Sequence, residues 1–143
     1  MYQKLMLSVW LFCGCATISL AQINLNLAIE NLEKPDGKLL IGFFGPNDEY
    51  LAEGACSICK EVVVNQEEKQ VFEFNDIPPG EYSIAILHDL NDNNAMDFSW
   101  IGIPKEGYGF SNNPKKVFRR PTYDETKVSL TENADLTIKL VNW

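Results

Sequence analysis

Polar and apolar positions alternate along most of the chain with a period of two. Leu25, Leu27 and Ile29 interleave with Asn24, Asn26 and Glu30, as in a strand with one face on a core and the other in water. Leu39 to Phe44 is a nearly unbroken apolar run between Pro35-Asp36-Gly37 and Gly45-Pro46-Asn47-Asp48. Turn formers at both ends of such a run delimit a strand. Val62-Val63-Val64 gives a third run, and Phe72 and Phe74, alternating with Val71 and Glu73, give a fourth. Tyr82, Ile84, Ile86 and His88 share one face of a fifth strand, with Ser83, Ala85 and Leu87 on the other. Pro79-Gly80 just before it suits the centre of a type II turn. Val128 with Leu130, and Leu136 with Ile138 and Leu140, supply two more strands, with Glu132-Asn133-Ala134-Asp135 as a hairpin turn between them. No segment holds a helical period.

About seven short strands with frequent turn signals predict an all-β fold, an antiparallel two-sheet β-sandwich of immunoglobulin-like or prealbumin-like type with one long ordered loop. Phe43, Phe44, Phe72, Phe74 and Tyr82 are the candidates to fill its centre. Repeats, low-complexity tracts and internal linkers are lacking, so a single domain is expected.

The first residues break this pattern. Lys4 precedes the apolar run Leu5 to Phe12, and Ser19-Leu20-Ala21 places small residues at a cleavage position. That is the layout of a secretory signal, interrupted by Gly14, Thr17 and Ser19 and too short for a membrane span. Residues 1–21 are read as the signal peptide and residues 22–143 as the β-sandwich domain. The product is then exported, to the periplasm, the outer membrane or the exterior, with no transmembrane segment in the mature chain. Gly14-Cys15 also suggests a lipoprotein. Phe12 and Cys13 fit that signal less well, and an apolar tether would follow the cysteine.

The formal charge of −8 becomes −9 once Lys4 leaves with the signal. Phosphate backbones would be repelled, which excludes nucleic acid as a partner. Cys13 and Cys15 leave too, so only Cys56 and Cys59 remain.

The candidate chemistry lies between His88 and Asn113. Asp89, Asn91 and Asn93 place short oxygen-bearing side chains at every second position, and Asp97 closes the run. A hard cation would order such a loop, because Ca²⁺ takes about six to eight oxygens. Laid on the spacing of a calcium loop, the donors are Asp89, Asn91, Asn93, the Ala95 carbonyl and Asp97. The twelfth position is Trp100, which cannot supply a carboxylate. Glu106 is the nearest replacement, with Asp92 and Asp124 behind it. Position six is Asn94, where the motif needs a left-handed residue; asparagine tolerates that conformation well. The plainer alternative is that these side chains only cap backbone turns.

These residues also carry a resemblance. His88-Asp89, Asn91, Asn93 and Asp97, then Gly102-Ile103-Pro104-Lys105-Glu106-Gly107-Tyr108-Gly109-Phe110-Ser111-Asn112-Asn113, preceded by Pro78-Pro79-Gly80-Glu81-Tyr82, resemble the exported bacterial domain-of-unknown-function family 2141. The likeness spans essentially the whole mature chain and implies a class and a location but no reaction. Asn94 stands where the family pattern has Gly, and Arg119-Arg120-Pro121 where it has Gly-Pro-Pro. The Pro-Pro-Gly-x-Tyr segment also resembles prealbumin-like sandwiches, a likeness of fold and not of activity.

Other signals read plainly. Cys56-Ser57-Ile58-Cys59 has redox spacing but lacks the helix start that thioredoxin-like chemistry needs, so a local disulfide is expected. His88 beside Glu106 could serve as a general base, yet no nucleophile elbow or phosphate loop accompanies it. Tyr108 and Phe110 among Gly102, Gly107 and Gly109 read as loop packing before recognition. Lys115, Lys116, Arg119 and Arg120 form a basic cluster best taken as a solvated edge. The combined expectation is a non-enzymatic exported module with a calcium loop, presented to an envelope protein or glycan. The alternatives are a small envelope hydrolase using His88 and Glu106, or a structural or carrier domain without metal.

Overall fold

The computed structural model describes residues 22–65, 67–115 and 119–143. The signal segment with Cys13 and Cys15, and Lys116 of the basic cluster, lie outside the described residues. Eight strands and one helical turn follow in the order β1 (Ile23–Glu30), β2 (Lys38–Phe44), β3 (Ile58–Val63), β4 (Gln70–Ile77), β5 (Gly80–Asp89), β6 (Tyr108–Phe110), α1 (Tyr123–Thr126), β7 (Lys127–Leu130) and β8 (Ala134–Lys139). They make a sandwich of two sheets. One has the order β4-β1-β8; the other has the order β3-β2-β5-β6, with β7 also on β5.

The period-two pattern explains the core. Leu25, Leu27 and Ile29 of β1 are buried while Asn24 and Asn26 face water. From the opposite sheet Phe43, Tyr82, Ile84 and Ile86 pack against them in one apolar cluster with Phe74, Ile138 and Leu140. Phe43 sits at its centre, edge-on to Phe74 at 5.0 Å and to Tyr82 at 6.2 Å between ring centroids. Such edge-to-face pairs match the ring quadrupoles. The Tyr82 hydroxyl donates to the Pro78 carbonyl at 2.9 Å, tying the start of β5 to the turn before it.

Four expectations are corrected. The sheets are not wholly antiparallel, because β8 runs parallel to β1. Residues 132–135 do not close a hairpin: β7 pairs with β5 in one sheet and β8 with β1 in the other, so the chain crosses the sandwich there. Gly80 is not the left-handed centre of a type II turn. It opens β5 opposite Leu130, and the positive φ nearby belongs to Asp76, at 63°. The glycine-rich motif is not loop throughout, since Tyr108–Phe110 forms β6 against Ala85–Leu87. Gly109 lies at a close approach and not at an unusual dihedral: a Cβ there would come within 2.7 Å of Ile138.

The back of β5 is closed by hydroxyls. Ser83 is fully buried, 2.7 Å from Thr126, and Ser111 accepts the Ile84 backbone N–H at 2.9 Å while donating to the Thr126 carbonyl. Among the described residues no helix is long and apolar enough to cross a membrane.

Candidate functional site

β5 delivers the chain into the long loop, and β2 runs beside it. In that register Lys38 lies opposite Asp89 and Leu39 opposite His88. The turn before β2 is pressed against the same place. Gly37 has φ +81°, and a Cβ on it would lie 2.2 Å from the Asp89 carbonyl oxygen. Asp36 accepts through its carbonyl from His88 Nε2 at 2.8 Å. The Pro35-Asp36-Gly37 turn therefore serves as the floor of the loop.

The oxygen ladder divides into two groups. The inner one is buried and spent on the backbone. Asp89 is 0% exposed; its Oδ1 accepts the N–H groups of Asn91 and Asn93, both at 3.3 Å, and its Oδ2 that of Asn94 at 2.8 Å. Burial alone would raise its pKa, but the backbone N–H groups of Asn94, Asn93, Asp92 and Asn91 outweigh it, and the carboxyl is held below its ordinary value. Buried Glu106 spans the neck, accepting Leu90 N–H at 2.9 Å on Oε1 and Asp97 N–H at 3.1 Å on Oε2. Asn94 has φ 62° and Asp92 φ 61°, the left-handed conformations the ladder requires.

The outer group faces solvent. Asn91 and Asn93 donate through Nδ2 to the same oxygen, Asp97 Oδ2, at 2.6 and 3.2 Å. Ala95 contributes its N–H to Asn93 Oδ1 at 2.9 Å. The structure thus brings Asn91, Asn93 and Asp97 together, and turns Asp89 and Glu106 inward beneath them. Among the described residues, no group of three or more His, Cys, Asp or Glu is arranged to hold a metal ion.

Sequence reasoning missed Lys38. Its ammonium lies 2.6 Å from Asp92, 3.4 Å from Glu61 and 3.9 Å from Asp89, and its pKa is raised, foremost by the Asp92 hydrogen bond. Only the strand register reveals it, because fifty residues of chain separate it from the loop.

His88 and Glu106 line one small recess of about 100 Å³ with Glu33, Lys34 and Lys105. His88 is committed to Asp36 and Glu106 to two backbone N–H groups, so both act as struts of the loop. Cys56 and Cys59 are disulfide-bonded, with Cα atoms 5.7 Å apart, a separation usual for such a bridge. In the basic cluster, Arg119 forms a two-pronged pair with Glu125 at 2.8 and 2.6 Å. That pair, with the Thr122 N–H, takes the Glu125 carboxyl down to about 2.

The class defined by these features is a β-sandwich domain with a carboxylate-braced loop. Residues 27–139 match the family described as Uncharacterized protein conserved in bacteria (DUF2141), and the chain belongs to that family. The motif resemblance is thereby borne out. No curated protein and no solved structure matches the chain.

Proposed function

We propose that the protein is an exported, non-enzymatic binding or structural module of the cell envelope, whose 89–106 loop takes up Ca²⁺ at low affinity. One observation carries the reading: two carboxamides and one carboxylate converge on a single point, Asp97 Oδ2. The oxygen and nitrogen of a carboxamide exchange places by a half-turn. Turned that way, Asn91 and Asn93 would set oxygens beside Asp97 at the roughly 3 Å spacing of neighbouring ligands around a cation with bonds of about 2.4 Å, Asn93 giving up the Ala95 N–H that its Oδ1 accepts in the metal-free loop. Ala95 would add its carbonyl, and Asp89 and Glu106 would hold the loop in register beneath the ion. The bound ion would supply charge neutralisation and rigidity. The disulfide between Cys56 and Cys59 accords with an oxidising compartment, and the commitment of His88 and Glu106 to the backbone favours binding over catalysis.

With so few carboxylates, the dissociation constant should be on the order of 10⁻⁴ to 10⁻³ M. About 10 mM Ca²⁺ then stabilises the fold by about 1.4 kcal/mol at the weak end, a rise of roughly 5 °C in Tm. The test is thermal unfolding in Ca²⁺ against EDTA, for wild type and for Asp97→Asn. A wild-type midpoint equal in both buffers overturns the calcium reading.

A further inference from the structure

Beyond the oxygen ladder, the loop ends in a small, well-braced hairpin with an apolar tip. Phe98 and Pro104 form a bridge. Lys105 N–H reaches the Asp97 carbonyl at 2.9 Å, and Ser99 N–H reaches the Ile103 carbonyl at 2.7 Å. The turn itself is closed by Gly102 N–H on the Ser99 carbonyl at 2.9 Å and by Ile103 N–H on Ser99 Oγ at 3.0 Å. Gly102, at φ +80° and with open space where a Cβ would lie, allows the reversal. This framework holds Trp100 at 95% exposure, Ile101 at 57% and Phe98 at 46%. An indole held in water by a braced turn contributes nothing to this fold, and an apolar cluster of this kind marks a contact site.

We propose that this tip inserts into a lipid surface, seating the Trp100 ring among the headgroups and Ile101 just below them. Three features select lipid over a protein partner. The three side chains offer on the order of 400 Å² of surface, whereas a stable protein contact needs about 800 Å² from each partner. The tip is a convex wedge, which a fluid bilayer accommodates without a matching pocket. No acidic residue lies between Asp97 and Glu106, and Lys105 flanks the wedge. Tryptophan prefers the membrane interface, and a lysine beside it can extend its amine to phosphates. The surface should be zwitterionic, because a chain of formal charge −8 is repelled by an anionic one. A single small wedge makes the attachment reversible.

The proposal does not rest on calcium, and its test is run in EDTA. The protein is sedimented with phosphatidylcholine/phosphatidylethanolamine vesicles, and its tryptophan emission is followed as vesicles are added. Wild type should co-sediment, with a blue shift that Trp100→Ala abolishes. Trp100→Ala with Ile101→Ser should lower the partition coefficient about tenfold or more. Because both side chains are exposed, the variants should keep the wild-type melting midpoint, so lost binding is not lost folding. Equal partitioning of wild type and the double variant overturns the proposal. So does an absence of vesicle binding together with a concentration-dependent dimer that the double variant dissolves.

Discussion

Glu106 accepts the Asp97 backbone N–H on one carboxylate oxygen at 3.1 Å, and with the other it holds Leu90 N–H at 2.9 Å. A single buried side chain at the end of the loop thus holds both its start and its middle. Replacing Glu106 by Gln keeps the shape but turns one acceptor into a donor that faces a backbone N–H. Leaving such a buried group unsatisfied costs about 1–3 kcal/mol. Urea unfolding of Glu106→Gln should show an unfolding free energy lower by that amount, as a lower midpoint with an unchanged slope. A wild-type midpoint would mean the neck is held by something else.

The contact of Gly37 with the Asp89 carbonyl predicts a contrast between two glycines. Gly37→Ala places a methyl 2.2 Å from a backbone oxygen and at φ +81°. Gly54→Ala meets the left-handed strain alone, at φ +71° with nothing within 4 Å. The strain costs about 1–2 kcal/mol. Gly54→Ala should lose about that much, and Gly37→Ala visibly more, because the clash must move either the turn or the start of the loop. Thermal melts of the pair decide this. Equal losses would show that the floor of the loop yields freely.

Asp89 gives a pH dependence whose sign follows from its lowered pKa. In the unfolded chain it titrates near the ordinary value of 3.8, and in the folded protein below that. Its contribution is therefore complete above about pH 5 and is lost as the pH falls through 3.8 and on through the folded value. Glu30, Asp48 and Glu125 are also lowered and act in the same direction, so the test is a difference. Asp89→Asn should be less stable than wild type at pH 7, and the gap should narrow as the pH drops from 5 to 3. A gap constant with pH would show that the charge of Asp89 is not what the loop amides hold.

How much of this was legible from residues alone depends on what alternation encodes. Period two marks the faces of β1 and β5, and turn formers bound the apolar run of β2; those strands lie where these signals put them. Pairing partners are a different matter. Leu136 and Ile138 alternate equally well in a hairpin with Val128 or beside β1, and only the packing of both sheets selects the second. β6 is three residues long, below the length at which periodicity exists. The ladder in the loop names the side chains that bear oxygen, not their direction. Asp89 falls on the Ser83-Ala85-Leu87 face of β5, out of phase with the core, and is buried because the loop folds its own N–H groups onto it, whereas Asn91 and Asn93, past the strand end, face water. Lys38 carries no local signal, because its role arises from lying opposite Asp89 across two strands.

The parallel pairing of β8 with β1 has a consequence for how the molecule is born. Asn24 and Asn26 bond with Asn133 and Asp135 across a separation of 109 residues, so the three-stranded sheet stays open until the C-terminal strand has been synthesised. Closing so long a loop is entropically slow. A shortened product ending before Ala134 would leave the edge of β1 that carries Leu25, Leu27 and Ile29 beside an empty berth.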